Sequence, residues 1–230
     1  MKKLLLLAFL ATCISVIIPC KVYAVDITVG ATTWYVWWDV EQEEETLNLD
    51  PVFMYGPALA VKFNNDFNLT FVYLYGKFHY EESGAPKSEI KRYDSDLALN
   101  YKLNDYFKVF AGIKYMGFLL TNAYEETDSD AYGPGLGLSC TYPIVNNLYA
   151  LAYLSGFYLW GKEDDVSDNV KHKDYGINSS LSIAYYIAPA STVVSLGGRY
   201  QYFKMKYDNS HRDNNKFYGV TLTATYTFGI

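Results

Sequence analysis

Along most of this chain apolar residues fall at every second position, in blocks of about a dozen residues separated by polar or charged breaks. That is the period of an extended strand. In the last block, GVTLTATYTFGI, Val220, Leu222, Ala224, Tyr226, Phe228 and Ile230 share one face, and Gly219, Thr221, Thr223, Thr225, Thr227 and Gly229 share the other. Counting such blocks predicts ten strands, at about 26–38, 51–63, 67–80, 92–103, 107–120, 132–144, 148–161, 175–187, 192–205 and 216–230. Short breaks at Asn64 to Asp66, Asn104 to Asp105, Val145 to Asn147 and Ala188 to Ser191 recur about every forty residues and use residue types suited to tight turns. Between them lie longer charged stretches, from Asp39 to Leu49, Glu81 to Lys91, Thr121 to Ala131, Lys162 to Asp174 and Lys206 to Asn215. Short turn alternating with long loop is the asymmetry of an outer-membrane barrel, whose tight turns face the periplasm. A propeller would need four strands per forty-residue blade, and there is room for two.

The alternation also predicts which face meets what. The eighth segment puts Tyr175, Ile177, Ser179, Leu181, Ile183, Tyr185 and Ile187 on one face and Gly176, Asn178, Ser180, Ser182, Ala184 and Tyr186 on the other. The sixth sets Tyr132, Pro134, Leu136, Leu138, Cys140 and Tyr142 against Gly133, Gly135, Gly137, Ser139 and Thr141. Aromatic rings bracket the apolar face near both ends, as interfacial girdles do, and the small polar face suits a narrow interior. The apolar face of the final segment is therefore expected to meet lipid. In the seventh segment both faces are apolar, and Tyr149, Leu151, Tyr153, Phe157 and Leu159 are expected to point outward. The first is ambiguous near its end, where Trp34, Tyr35, Trp37 and Trp38 fall on both faces. The fold class that follows is all-β: a transmembrane up-and-down antiparallel β-barrel of about ten strands, with eight as the alternative.

The N-terminus sets the compartment. Lys2 and Lys3, the apolar run LLLLAFLATCISVII and the segment VYA ending at Ala24 have the grammar of a secretory signal peptide. Residues 1–24 are thus expected to be removed and 25–230 to form the barrel. Pro19 stands where a lipoprotein signal before Cys20 wants a small residue. Cys13 and Cys20 leave with the signal, so Cys140 has no partner for an intramolecular disulfide. Three of the 19 basic residues leave too, and the net charge falls from −6 to about −9. An acidic chain lacks the clustered Lys and Arg that nucleic acid requires. Tyrosine is abundant, 24 of 230 residues, and its amphipathic ring is favoured where chain passes from hydrocarbon to water. No stretch after residue 24 is apolar for long enough to span as a helix.

With signal, hairpin meander, girdles and terminal strand in place, the chain resembles the small outer-membrane β-barrel proteins of diderm bacteria over residues 25–230. The closing TATYTFGI is similar to the C-terminal signal read by the barrel-assembly machinery in that class, although the terminal residue is Ile230 with the aromatic Phe228 two before it. The resemblance implies an outer-membrane location, membrane lipids and that machinery as partners, and no cofactor.

Function is sought first among charges expected to point into the lumen: Asp94, Asp96, Lys102, Lys108, Lys114 and Arg199. They form either a self-satisfying network that fills the interior or a polar path for solutes. A ten-stranded barrel is only modestly wider than the eight-stranded kind that side chains fill, which argues against a wide pore. Asp94 and Asp96 share one face of their strand, and an aspartate pair on a ten-stranded barrel is similar to the omptin surface proteases. That family sets an Asp and His pair opposite, but no Asp-x-His occurs here, and His172-Lys173-Asp174 has the reverse order. His79 and His211 lie at or in loops with no metal-ligand spacing, and no nucleophile, zinc or phosphate-loop motif occurs. The second place is the acidic outer loop with Glu41, Glu43, Glu44 and Glu45, echoed by Glu125, Glu126, Asp128 and Asp130. These are either a solvated charge run or contacts for divalent cations or host ligands. The expectation is a non-enzymatic barrel with a mostly filled lumen and a structural or surface-interaction role. A narrow channel for small solutes is the alternative, and an omptin-like protease a remote one.

Overall fold

Period-two alternation, kept along most of the chain, lets each segment cross one wall of a closed sheet. The computed structural model describes residues 26–42, 45–80, 88–121, 126–164, 169–208 and 211–229, so the expected signal peptide, 1–24, lies outside the described residues. The strands are β1 (Asp26–Gln42), β2 (Glu45–Lys62), β3 (Phe67–Tyr80), β4 (Ser88–Lys102), β5 (Phe107–Thr121), β6 (Glu126–Val145), β7 (Leu148–Asp164), β8 (Asn169–Ile187), β9 (Thr192–Tyr207) and β10 (Arg212–Gly229). Each is antiparallel to its sequence neighbours, and β10 pairs with β1 from Asp26↔Gly229 to Gln42↔Asp213, closing the barrel. Among the described residues no strand is left at an edge to recruit another chain.

The expected turns sit at one end of the barrel, and local side chains make them. Asn64 Oδ1 accepts from the amides of Asp66 and Phe67 at 2.8 Å, and Asn104 Oδ1 from those of Tyr106 and Phe107 at 2.9 Å. This is the asparagine side chain standing in for a backbone turn. Asn147 adopts a φ of 63°, which asparagine tolerates better than most residues. Lys102 reaches Asp105 at 2.7 Å, and that hydrogen bond holds the Asp105 carboxyl below its ordinary pKa.

At the far end the strands run well into the stretches expected as long charged loops. β1 continues to Gln42, β2 begins at Glu45, β6 at Glu126, β8 at Asn169 and β10 at Arg212. The charged residues themselves alternate, and ion pairs across neighbouring strands carry the ladder onward, as Lys216 does with Glu41 and Lys77 with Glu89 at 3.3 Å. Glu41 is therefore a strand residue rather than a loop residue, and Glu45 opens β2. Glu43 and Glu44 lie outside the described residues, as does Glu125.

The outer surface is apolar between two aromatic rows. Leu136, Leu181, Leu196, Ile113, Leu154 and Leu222 are exposed there. Phe53, Tyr55, Tyr132, Trp160, Tyr175 and Tyr218 form the row nearer the far end, and Phe67, Tyr101, Phe107, Tyr142, Tyr185 and Phe228 the row nearer the turns. An exposed apolar belt of this extent is unstable in water and matched to hydrocarbon. The faces of β6, β8 and β10 are those the alternation predicts, with Cys140 on the outward face of β6 between Leu138 and Tyr142. In β7 the expectation is reversed. Phe157 and Leu159 are buried inside, Tyr153 stacks on the lumen-facing Phe110, and Leu154, Tyr158 and Trp160 face outward. The register decides this, because Leu154 stands opposite Leu138 of β6, which faces outward while the small Gly137 and Ser139 beside it face the interior. β1 resolves in the same way, with Trp34, Val36 and Trp38 inside and Tyr35 and Trp37 outside. Proline interrupts the ladder at Pro57, where β2 and β3 pair at Tyr55↔Tyr75 and next at Ala58↔Val72.

Candidate functional site

Strand periodicity places charged residues of β4, β5 and β9 in the lumen, and the closed sheet brings four of the six expected ones together. Asp94 is the hub. Its carboxylate accepts from Lys114 Nζ at 2.7 Å and from Arg92 Nη2 at 2.9 Å, with Arg199 Nη2 at 3.8 Å. Lys114 also reaches Asp96 at 3.2 Å. Arg199 Nε donates to Asn178 at 3.2 Å, and Arg92 Nη2 to Gln201 at 3.2 Å. Arg92 and Asp94 are almost wholly buried, at 0% and 1% exposure, so each charge has to be answered inside the protein.

The cluster holds three cations and two carboxylates. Aromatic faces compensate part of the surplus: Arg92 Cζ lies 3.4 Å from the centroid of Phe217 and Arg199 Cζ 4.5 Å from that of Trp34. Those rings belong to a larger stack toward the far end, in which Trp38 packs on Phe217 at 4.9 Å and Phe203 on Phe217 at 5.7 Å. Phe78, Phe118 and Phe157 extend it. Arg92 is not among the expected lumen charges, although its period-two spacing from Asp94 puts it on the same face. Lys102 and Lys108 are not part of the cluster. They line a separate cavity of about 260 Å³ at the turn end with Asp26, Lys62 and Thr227.

A second polar group occupies the far mouth. His172 Nδ1 lies 2.6 Å from Asp174 Oδ1, and His172 Nε2 lies 3.1 Å from Ser129 Oγ. All three side chains are buried. Ser129 is on β6 and the other two on β8, so the imidazole has to cross β7. It does so at Gly161, which pairs with His172 and where a Cβ would overlap the imidazole ring. Tyr207 packs on the other side, with ring centroids 5.5 Å apart. A cavity of about 340 Å³ opens beside the group and is lined by Ser129, Thr127, Gln42, Glu163, Tyr207 and Asp213 among others. The His172–Asp174 spacing is legible in the sequence, but no local signal marks Ser129.

The aspartate pair is the feature that resembles the omptin surface proteases. Here Lys114 engages both Asp94 and Asp96. Among the described residues no three His, Cys, Asp or Glu side chains are grouped to hold a metal ion.

No family model matches the chain, and no curated protein matches it in sequence. Solved structures do. The outer membrane protease OmpT from Escherichia coli superposes with a TM-score of 0.59 at 10% identity, over 91% of this chain and 99% of that one. The β domain of the Bordetella autotransporter BrkA gives 0.48 at 7% identity, over 90% and 100%. A major outer membrane protein from Thermus thermophilus gives 0.43 at 14% identity, over 90% and 100%. At such identities it is the fold that is shared, and the chain has the architecture of the bacterial outer-membrane β-barrels.

Proposed function

We propose that the protein is an exported, non-conducting outer-membrane barrel whose turn end faces the periplasm and whose polar far mouth faces outward, with a structural or surface-interaction role exercised at that mouth. Export rests on the signal-like residues 1–24, and insertion on the C-terminal strand as a substrate of the barrel-assembly machinery. The observation that carries the reading is the stacking of two close-packed tiers. Arg92, buried with Asp94, Lys114 and Gln201, packs against Trp34 and Phe217, Phe203 stacks on Phe217, and the cavities of the mouth and of the turn end share no lining residue. An ion crossing here would have to displace side chains already engaged with one another. The purified protein refolded into a planar bilayer is expected to show no discrete openings, and stepwise conductance would establish the narrow channel instead.

A further inference from the structure

Sequence patterning argues against an enzyme, because no nucleophile motif occurs. The fold nevertheless assembles one arrangement that a filled barrel does not require. We infer that Ser129, His172 and Asp174 form an acyl-transfer centre at the outer mouth, hydrolysing short-chain carboxylic esters that are neutral or cationic.

The geometry carries the assignment. A carboxylate at Asp174 accepts from His172 Nδ1–H at 2.6 Å, which fixes the tautomer and leaves Nε2 to accept the Ser129 hydroxyl at 3.1 Å. Nucleophile, base and orienting acid within hydrogen-bond reach in that order are recognised by geometry and role rather than by sequence position. The base is held from both sides. Gly161 leaves room for the ring over β7, and Tyr207 covers it. Asp174 Oδ2 has no hydrogen-bond partner among the described residues, so its negative charge is directed to the imidazole. A group serving only to fill space would be expected to satisfy that atom.

The nucleophile also has somewhere for a substrate to sit. Ser129 lines the mouth cavity of about 340 Å³, a volume suited to a small ligand. Its wall is apolar at Phe118, Leu120 and Val170, which suits a short acyl chain, and carries two carboxylates, Glu163, which accepts from the Tyr207 hydroxyl at 3.2 Å, and Asp213, which lies 2.9 Å from His211, so that an anionic ester is disfavoured. Thr127 and Gln42 line the same cavity, and because the Gln42 side chain hydrogen-bonds Asp213, the Thr127 hydroxyl is the donor the assignment offers a developing oxyanion. The group lies beyond the far aromatic row, three residues from Tyr132 on β6 and from Tyr175 on β8 for Ser129 and His172, and therefore on the water side of the girdle.

In the reaction Ser129 Oγ attacks the ester carbonyl carbon while its proton passes to His172 Nε2. The tetrahedral intermediate collapses, the ester C–O bond breaks, and His172 returns the proton to the departing alkoxide. Water, deprotonated by His172, then attacks the acyl carbon; the bond from that carbon to Ser129 Oγ breaks, His172 returns the proton to Oγ, and the carboxylic acid leaves and ionises in water. Ser129 and His172 are the catalytic residues, and Asp174 and Gly161 position the base.

The test uses the refolded barrel in lipid vesicles, with p-nitrophenyl butyrate as substrate and a fluorophosphonate as label. Saturable hydrolysis and a single label on Ser129, located by peptide mass, are expected. Ser129→Ala is expected to lose the label and at least about 100-fold in kcat/KM. Asp174→Asn should lower kcat and the labelling rate by about 100-fold or more while leaving KM within about twofold, a split that a merely structural loss would not give. Gly161→Ala, which touches no substrate, should lower both in the same way by displacing His172. Folding of each variant is read independently from heat-modifiable gel mobility. A folded parent that neither turns over nor labels, or a Ser129→Ala variant that labels as the parent does, overturns the assignment. Conductance is measured separately, so failure here and failure of the non-conducting reading are distinguishable.

Discussion

Leu222 and Thr223 are adjacent in β10 and meet opposite surroundings. Leu222 is 48% exposed on the lipid face, whereas Thr223 Oγ1 lies 2.7 Å from Thr32 Oγ1 inside the barrel. Leu222→Arg is expected to cost about 2–4 kcal/mol, because a guanidinium near the bilayer midplane must leave water or distort the lipid to keep it. Thr223→Arg instead breaks one hydroxyl contact and crowds the lumen, for about 1–3 kcal/mol. Urea midpoints of both variants in vesicles measure the two costs, and a Leu222→Arg variant within about 0.5 kcal/mol of the parent would contradict the face assignment. Asp94 is a different kind of residue, since its removal leaves Arg92, Lys114 and Arg199 facing only Asp96. Asp94→Asn should cost about 3–5 kcal/mol in the same assay, the penalty of stranding buried charge. At Asp96, whose side chain is 27% exposed, water can answer the cations, and Asp96→Asn should cost about 1 kcal/mol or less.

At the scale of the strand, the seam between β1 and β10 is where the barrel closes. Gly219 stands opposite Val36 there, and a Cβ on it would overlap the carbonyl oxygen of Tyr35. Gly219→Val is accordingly expected to destabilise the closed form by about 1–3 kcal/mol and to raise the fraction of unheated protein that migrates as the open form on gels. Gly156 on the lipid face has only the Gly176 carbonyl oxygen near its Cβ position, at 3.8 Å, and Gly156→Ala should stay within about 0.5 kcal/mol of the parent. The strands also show where patterning reads well. Glycine and serine alternating with leucine settled the faces of β6 and β8, because only one face could pack a narrow interior. In β7 both faces are apolar, so periodicity was a weak guide and the expected outward face proved to be the inner one, the choice being made by register against β6.

For the whole molecule, the proposed orientation in the membrane rests on the difference between its two ends. Four tight turns close one end, and strands bearing paired surface charges project from the other. An epitope tag inserted at 165–168 should be reached by antibody on intact cells, and one between Val145 and Asn147 should be reached only after permeabilisation. Labelling of the second on intact cells would invert the barrel, and with it the outward placement of the mouth cavity.

The amino-acid sequence by itself determined the strand count, the turns and most of the faces, because these depend on residues within a few positions of one another. Period-two alternation, asparagine at the turns and aromatic rings at the ends of each apolar face are local signals. It also put Asp94, Asp96 and Lys114 on lumen faces. What it could not convey was distance across the barrel. Whether Lys102 joins Asp94, whether the charged stretches loop or pair, and which residue lies beside His172 all depend on strand register and on closure between β1 and β10. Ser129 and His172 are 43 positions apart and meet only because β7 places a glycine between them. The mouth is therefore a product of tertiary structure: a side chain that spans a neighbouring strand has a partner set by the geometry of three strands together.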